Sequence, residues 1–253
     1  MKKIIILVVG AALAAGTLLS QEAKQPKPKS QKEQEAVMAI FNAADPAARI
    51  TAADNLLLKF ADTEFKVVAL QIAAASAQEL NDYEKMTIYA ERTLEADHKN
   101  YASMLMLATG LAQRTREHDL DKEEKLGKAD KFAKDALEVL KTAPKPRPDI
   151  SDEQWEGAKK DFASQAYESM GLVAMVRKKY DDAVAQFTKS IETASTQDPA
   201  TSVRLGSAYN NLGKYDEAIA VLDKVMADPQ LHPTIRQFAS QEKLKAVSAK
   251  AKK

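Results

Sequence analysis

KKYDDAVAQFTKSI, from Lys178 to Ile191, and GKYDEAIAVLDKVM, from Gly213 to Met226, repeat one another at an offset of 35 (213 − 178). Tyr180 falls on Tyr215, Asp181 on Asp216, Ala183 on Ala218 and Lys189 on Lys224; upstream, Gly171 falls on Gly206. A fixed period of this length marks stacked supersecondary units, each unable to bury its apolar face alone. The residue types explain the unit. Gly171 and Gly206 let two helices approach closely, with Ala183 and Ala218 doing the same from the second helix. Tyr180 and Tyr215 fill the turn, and Asp181-Asp182 and Asp216-Glu217 open the second helix, where acidic side chains offset unpaired N–H groups and the dipole.

On these residues the sequence resembles the tetratricopeptide repeat (TPR) family, whose pattern runs Leu-Gly, Tyr, Gly-x-Tyr-x-x-Ala, an aromatic and a terminal Pro. The last repeat carries Leu205-Gly206, Tyr209, Gly213-Lys214-Tyr215, Ala218 and Pro229, with Leu222 in place of the aromatic and the Pro one residue early. The preceding one carries Met170-Gly171, Tyr180, Ala183 and Phe187, with Ala174 in place of Tyr. The resemblance implies an all-α fold: a right-handed superhelix, or α-solenoid, of stacked helix-turn-helix pairs with a C-terminal capping helix.

Outward from this centre the likeness fades. Val67 to Lys99 reads as a pair with Asp82-Tyr83 at the turn, though Ala74 stands for Gly and Met86 for Ala. Tyr101 to Arg114 and Leu126 to Lys141 read as another, separated by the polar Thr115 to Lys125, which either projects as a loop or extends both helices. Glu33 to Asn42 and Pro46 to Phe60 suggest a degenerate first pair, with Pro46 suited to a first helical position. Divergent repeats thus occupy 36–141 and clear ones 164–232. Between them Pro144, Pro146 and Pro148 forbid helix over 142–150. Asp152 to Arg177 then reads as a long first helix whose Trp155 either packs on the preceding pair or offers an anchor to a partner. Thr234 to Lys250 closes the stack, as solenoids require, and its lysine-rich end reads as a solvated tail.

Met1-Lys2-Lys3 and the apolar run Ile4 to Leu19 have the layout of a secretory signal over residues 1–20. The run is shorter than the roughly 20 apolar residues a membrane-spanning helix needs, although an uncleaved anchor is the alternative. Export to the periplasm or cell envelope is therefore expected. Residues 21–35 hold no aliphatic side chain larger than Ala and two prolines, and read as a flexible linker.

Composition removes several functions. With 37 basic residues, less Lys2 and Lys3, 35 stand against 36 acidic ones beyond residue 20, so the basic excess of a nucleic-acid binder is missing. Cys is absent, excluding disulfides and thiolate chemistry. His98, His118 and His232 lie far apart, none with a second His at ligand spacing, so neither metal nor cofactor is expected. Glu117-His118-Asp119 has no Gly-flanked Ser to complete a hydrolase triad. No enzyme is expected.

The resemblance implies instead a protein or peptide held on the concave face lined by first helices. Carried over by repeat phase, that face takes Gln71, Gln78, Leu105, Thr109, Gln113, Gln165, Glu168, Leu172, Arg204, Ser207 and Asn211. It lacks the Lys, Asn and Arg set with which some family members clamp a C-terminal carboxylate. Tyr83, Gly171, Tyr180, Ala183, Phe187, Gly206, Tyr209, Tyr215 and Ala218 are framework. Three readings stand: an exported interaction scaffold, a membrane-tethered envelope or pilus assembly factor, and an enzyme or small-molecule binder using the groove. Function is expected where the pattern breaks, beside Gln113 to Lys125 and along the helix after Trp155.

Overall fold

Alanine-rich stretches punctuated by Pro, Asp, Ser and Asn fold into helices with explicit starts. Asp45 accepts from Ala48 N at 2.8 Å ahead of Pro46, Asn100 from Ser103 N at 3.1 Å, and Asp198 from Ala200 N at 3.0 Å ahead of Pro199. Each side chain satisfies an N–H that the first helical turn leaves unpaired. The computed structural model describes residues 26–252, so the signal-like run lies outside the described residues. Among these residues there is no strand. The helices are α1 (Gln31–Phe41), α2 (Pro46–Lys59), α3 (Lys66–Glu79), α4 (Tyr83–Ala96), α5 (Tyr101–Arg114), α6 (Lys122–Thr142), α7 (Asp152–Val176), α8 (Tyr180–Thr193), α9 (Pro199–Asn211), α10 (Tyr215–Met226) and α11 (Pro233–Lys250). They form two compact units, one ending at Tyr89 and one beginning at Ala90.

In the first unit α1 packs on α2 and α2 on α3. Here one expectation fails, because residues 26–35 are not a loose linker. Helix α1 starts at Gln31, and Ser30 Oγ accepts from Glu33 N at 3.1 Å. Glu33 is 1% exposed, its carboxylate accepting from Thr63 Oγ1 and from Lys29 N, both at 2.6 Å. Lys29 Nζ reaches Asp62 Oδ2 at 2.6 Å and Asp62 O at 2.7 Å, and Lys27 N donates to Glu64 Oε2 at 3.0 Å. The segment is ordered by polar contacts rather than by the apolar burial whose absence suggested disorder.

The second unit stacks adjacent pairs: α5 with α6, α7 with α8, α9 with α10, and α11 against both α9 and α10. A Cβ placed on Gly171 would lie 2.5 Å from the Phe187 ring, and one on Gly206 would lie 2.8 Å from Leu222. Leu222 occupies the repeat position of Phe187, so both pairs close on the same contact. Ala183, Phe187, Ala218 and Leu222 are all fully buried. The acidic residues Asp181, Asp182, Asp216 and Glu217 sit in the first turns of α8 and α10 without capping them through a side-chain hydrogen bond. At these helix starts they act through the helix dipole.

Three helix ends share one turn. Asn81, Lys178 and Gly213 have φ of 58°, 58° and 72°. Behind them Asp82 N donates to Ala77 O, Lys179 N to Ala174 O and Lys214 N to Tyr209 O, at 2.9, 2.9 and 3.0 Å. These are the six-to-one bonds of a left-handed helix C-cap.

The polar insertion resolves into a loop over 115–121 and a one-turn lengthening of α6, with α5 unextended. The loop does not project freely. Glu117 pairs with Lys178, tying it to the α7–α8 turn, and Arg177 Nε donates to Glu123 Oε2 at 2.9 Å, tying the start of α6 there as well.

Helix α7, with 25 residues, is much longer than α8, with 14. Its start is a capping box in which Ser151 and Gln154 bond each other's backbone N–H. Trp155 is 5% exposed and donates to Ala143 O at 3.3 Å, while Tyr101 lies between the Trp155 and Phe162 rings with centroids 6.4 and 5.0 Å away. Trp155 therefore packs and is no exposed anchor. Burial pushes the Tyr101 hydroxyl up to about 12.

Candidate functional site

The first helices of the pairs supply the residues that a binding surface would use. In the first unit, α3 carries Gln71, half-buried, and Gln78, exposed. In the second unit, α5 carries Gln113 exposed and Thr109 half-buried, with Thr109 Oγ1 and Ser169 Oγ 2.8 Å apart. Leu105 does not belong to the surface. It is 2% exposed and packs with Met104, Ala108, Ala133, Ala136 and Ala166 in the α5–α6–α7 core.

On α7 Gln165 is exposed, Glu168 is half-buried and Leu172 packs half-buried against two core clusters, one around Phe187 and one around Val173. Leu172 thus serves the core more than the surface. Glu168 pairs with Arg204 of α9, which neutralises both side chains on this face. Ser207 is half-buried, and Asn211 is exposed with its Nδ2 donating to Ser207 O at 2.8 Å. The framework side chains stay in the packing: Phe187 is fully buried, Tyr209 packs against its cluster, and Tyr83, Tyr180 and Tyr215 are half-buried.

A cavity of about 230 Å³ opens between α9, α10 and α11, lined by Ser207, Asn210, Asn211, Tyr215, Glu242, Lys245 and Ala249. Repeat phase puts only Ser207 and Asn211 among these on a groove. Asn210 Nδ2 donates to Glu242 O and to Glu242 Oε2, both at 2.9 Å, and Lys245 Nζ reaches Glu242 Oε1 at 2.5 Å. The repeat offset could have found the other wall: 35 residues beyond Ser207 and Asn210 stand Glu242 and Lys245. Reading α11 only as a cap hides them. A wider and shallower recess of about 660 Å³ lies beside α1, bounded by Pro28, Ser30, Gln34 and Met38, with no convergence of reactive groups.

His98, His118 and His232 are all exposed, and His232 Nδ1 accepts from Thr234 N at 3.3 Å as the cap of α11. Among the described residues no three His, Asp or Glu side chains are placed to hold a metal ion, and no helix is long and apolar enough to cross a membrane.

Residues 201–227 match the family model of the tetratricopeptide repeat. Among solved structures, the chain is similar to a thermophilic TPR protein of Thermus thermophilus, with 17% identity, 84% of this chain and 99% of that chain covered, and a TM-score of 0.56. A tetratricopeptide repeat protein of Parabacteroides merdae matches at 15% identity over 88% of this chain and 92% of that one, with a TM-score of 0.44. At such identity the likeness to the Thermus protein is one of fold. No characterised relative matches the sequence. The chain thus carries one recognisable tetratricopeptide repeat within an all-helical repeat fold.

Proposed function

Since the chain carries a tetratricopeptide repeat at 201–227 and has the fold of the TPR proteins, we propose that it is a non-catalytic scaffold, exported to the periplasm or cell envelope, that holds a protein or peptide on the face lined by its first helices. The observation that carries this reading is the chemistry of that face in the second unit. Its exposed side chains, Gln113, Gln165 and Asn211, are uncharged amides, and its one close ion pair, Glu168 with Arg204, is already satisfied internally. Amides offer a donor and an acceptor at once, which suits the main chain of an extended segment better than a phosphate or a free ion.

The test is affinity capture from the native envelope with the wild-type chain and with a variant carrying Gln165→Lys and Asn211→Lys. A partner that is retained by wild type, lost by the groove variant and kept by a variant of exposed Lys131 and Lys134 on α6 supports the reading. Equal retention by all three refutes it.

A membrane-tethered assembly factor, in which the Ile4 to Leu19 run is retained, is the second reading. N-terminal sequencing with membrane fractionation separates the two: a mature start near Gln21 in a soluble fraction removes the tether, and an intact Met1 in membranes establishes it.

A further inference from the structure

We infer that α11 is a detachable lid over the end of the second unit, latched by polar contacts and opening locally while α9 and α10 stay folded. Its 18 residues bury only Ala239 and Ala246, whereas the 13 residues of α9 bury Thr201, Val203, Leu205, Gly206 and Ala208. Ile235 adds a half-buried contact. The larger apolar side chains of α11 face away from the body, with Phe238 56%, Leu244 65% and Val247 46% exposed. Apolar docking is thus confined to a seam near the start of α11, where Ile235 and Ala239 meet Val203, Leu222, Val225 and Leu231, and beyond it only Ala246 is buried; apolar burial is what normally holds a helix down.

Beyond that seam α11 is held by a set of polar latches. Lys243 Nζ lies 2.6 Å from Asp223 Oδ1, and Lys250 pairs with Asp216. Arg236 donates to Met226 O at 2.9 Å and to Asp228 O at 2.5 Å, and Asn210 donates to Glu242. Both lysine pairs are well exposed, with side-chain exposures of 36% and 49% in one and 55% and 73% in the other. Such pairs contribute little and are screened by salt. Elements with few buried apolar contacts open below the free energy of global unfolding.

The lid also forms one wall of the cavity through Glu242, Lys245 and Ala249, opposite Ser207, Asn210 and Asn211. A segment bound between them must bridge lid and body, so occupancy closes the lid. That consequence rests on the groove reading proposed above, whereas the opening itself does not.

Hydrogen exchange read by mass spectrometry on the full chain, without any partner, tests the opening. Amides of residues 237–250 should exchange at least about tenfold faster than those of α9 and α10. Raising salt from about 0.05 to about 0.5 M should speed them several-fold further, leaving α9 and α10 unchanged. Lys243→Ala with Lys250→Ala should bring the fast rate to low salt with the urea midpoint of the rest of the chain unmoved. Exchange of α11 in step with α9 and α10, or fast exchange indifferent to both salt and the double substitution, would overturn the latch.

Discussion

One substitution, Gly→Ala, should move stability in opposite directions at three sites. In an open helix position Ala gains about 1 kcal/mol over Gly through backbone entropy. Gly127 on α6 is exposed, with no atom within 4 Å of an added Cβ, so Gly127→Ala should stabilise by about that amount. At Gly171 the same methyl would sit 2.5 Å from a fully buried aromatic ring. The Phe187 ring must shift by about 1 Å to restore ordinary contact in a close-packed interior, and overpacking of this kind costs about 1–3 kcal/mol. Taking the upper end for a rigid ring against backbone, less the intrinsic gain, gives a net loss of about 2 kcal/mol. At Gly206 the obstacle is Leu222 at 2.8 Å, whose two side-chain torsions give way more easily, so the net loss falls to about 1 kcal/mol. Urea unfolding followed by circular dichroism should rank the midpoints Gly127→Ala, wild type, Gly206→Ala, Gly171→Ala from highest to lowest. Adding Phe187→Leu to Gly171→Ala should cost less than the two single losses together, because the smaller side chain relieves the clash. A Gly171→Ala midpoint at or above wild type would refute close helix approach as the reason for glycine in this repeat.

Three further outcomes follow from local geometry. Lys178 adopts the left-handed conformation that Gly213 adopts in the next repeat, so Lys178→Gly should stabilise by about 0.5–1 kcal/mol while Gly213→Lys destabilises by at least as much, both read by thermal melts. The Tyr101 hydroxyl, raised by burial to about 12, favours folding only while protonated; that stability is present below about pH 10 and is lost as pH rises toward 12, so Tyr101→Phe should flatten alkaline unfolding. The Lys29 ammonium holds the Asp62 carboxyl below its ordinary range, and the same linkage runs the other way: the contact is present above about pH 4 and lost as pH falls through the lowered value, exposing residues 26–30 to proteolysis in acid unless Asp62→Asn has already released them.

In the second unit the limits of α5 and α7 to α11 lie within a residue or two of the helix signals in the sequence because those signals are local, while α6 begins at Lys122, four residues before Leu126. Asn100 and Ser151 cap where a cap is needed, Pro144 to Pro148 stop α6, and the Gly–Tyr–Ala spacing fixes the phase of α7 through α10. Phase is also where sequence reasoning fails. In helix α5 neither Tyr101 nor Gly110 stands where it fixes the phase as Gly171 and Gly206 do, and one residue of slip turns a helix face by about 100°. Repeat phase puts Leu105 on the surface for that reason, and it lies in the core. The linker error has another origin. Ser30-Gln-Lys-Glu33 carries the Ser-x-x-Glu signature of a helix start, yet a count of apolar side chains gives such a segment no reason to fold. No local rule reveals that Thr63 and Lys29 will satisfy a buried Glu33. The cavity wall on α11 requires extending the repeat beyond its last recognisable member.

The same contrast bears on why the family pattern is matched only over 201–227 while α5 packs on α6, α7 on α8 and α9 on α10. Two glycines in the unit do different physical work. The turn glycine is replaceable: Asn81 and Lys178 hold left-handed conformations at a cost of about 1–2 kcal/mol and still make the same six-to-one hydrogen bond as Gly213. The packing glycine is tied to the size of its partner, Phe187 or Leu222, and changes only if the partner changes with it. In the α5–α6 pair the approach is made by alanines on both sides, with Ala108, Ala129, Ala133 and Ala136 all fully buried, and no large side chain demands a glycine opposite. Small-on-small packing keeps the helices together while erasing the letters by which the repeat is recognised. In the α5–α6 pair, therefore, the packing of two neighbouring helices is kept without the letters of the motif.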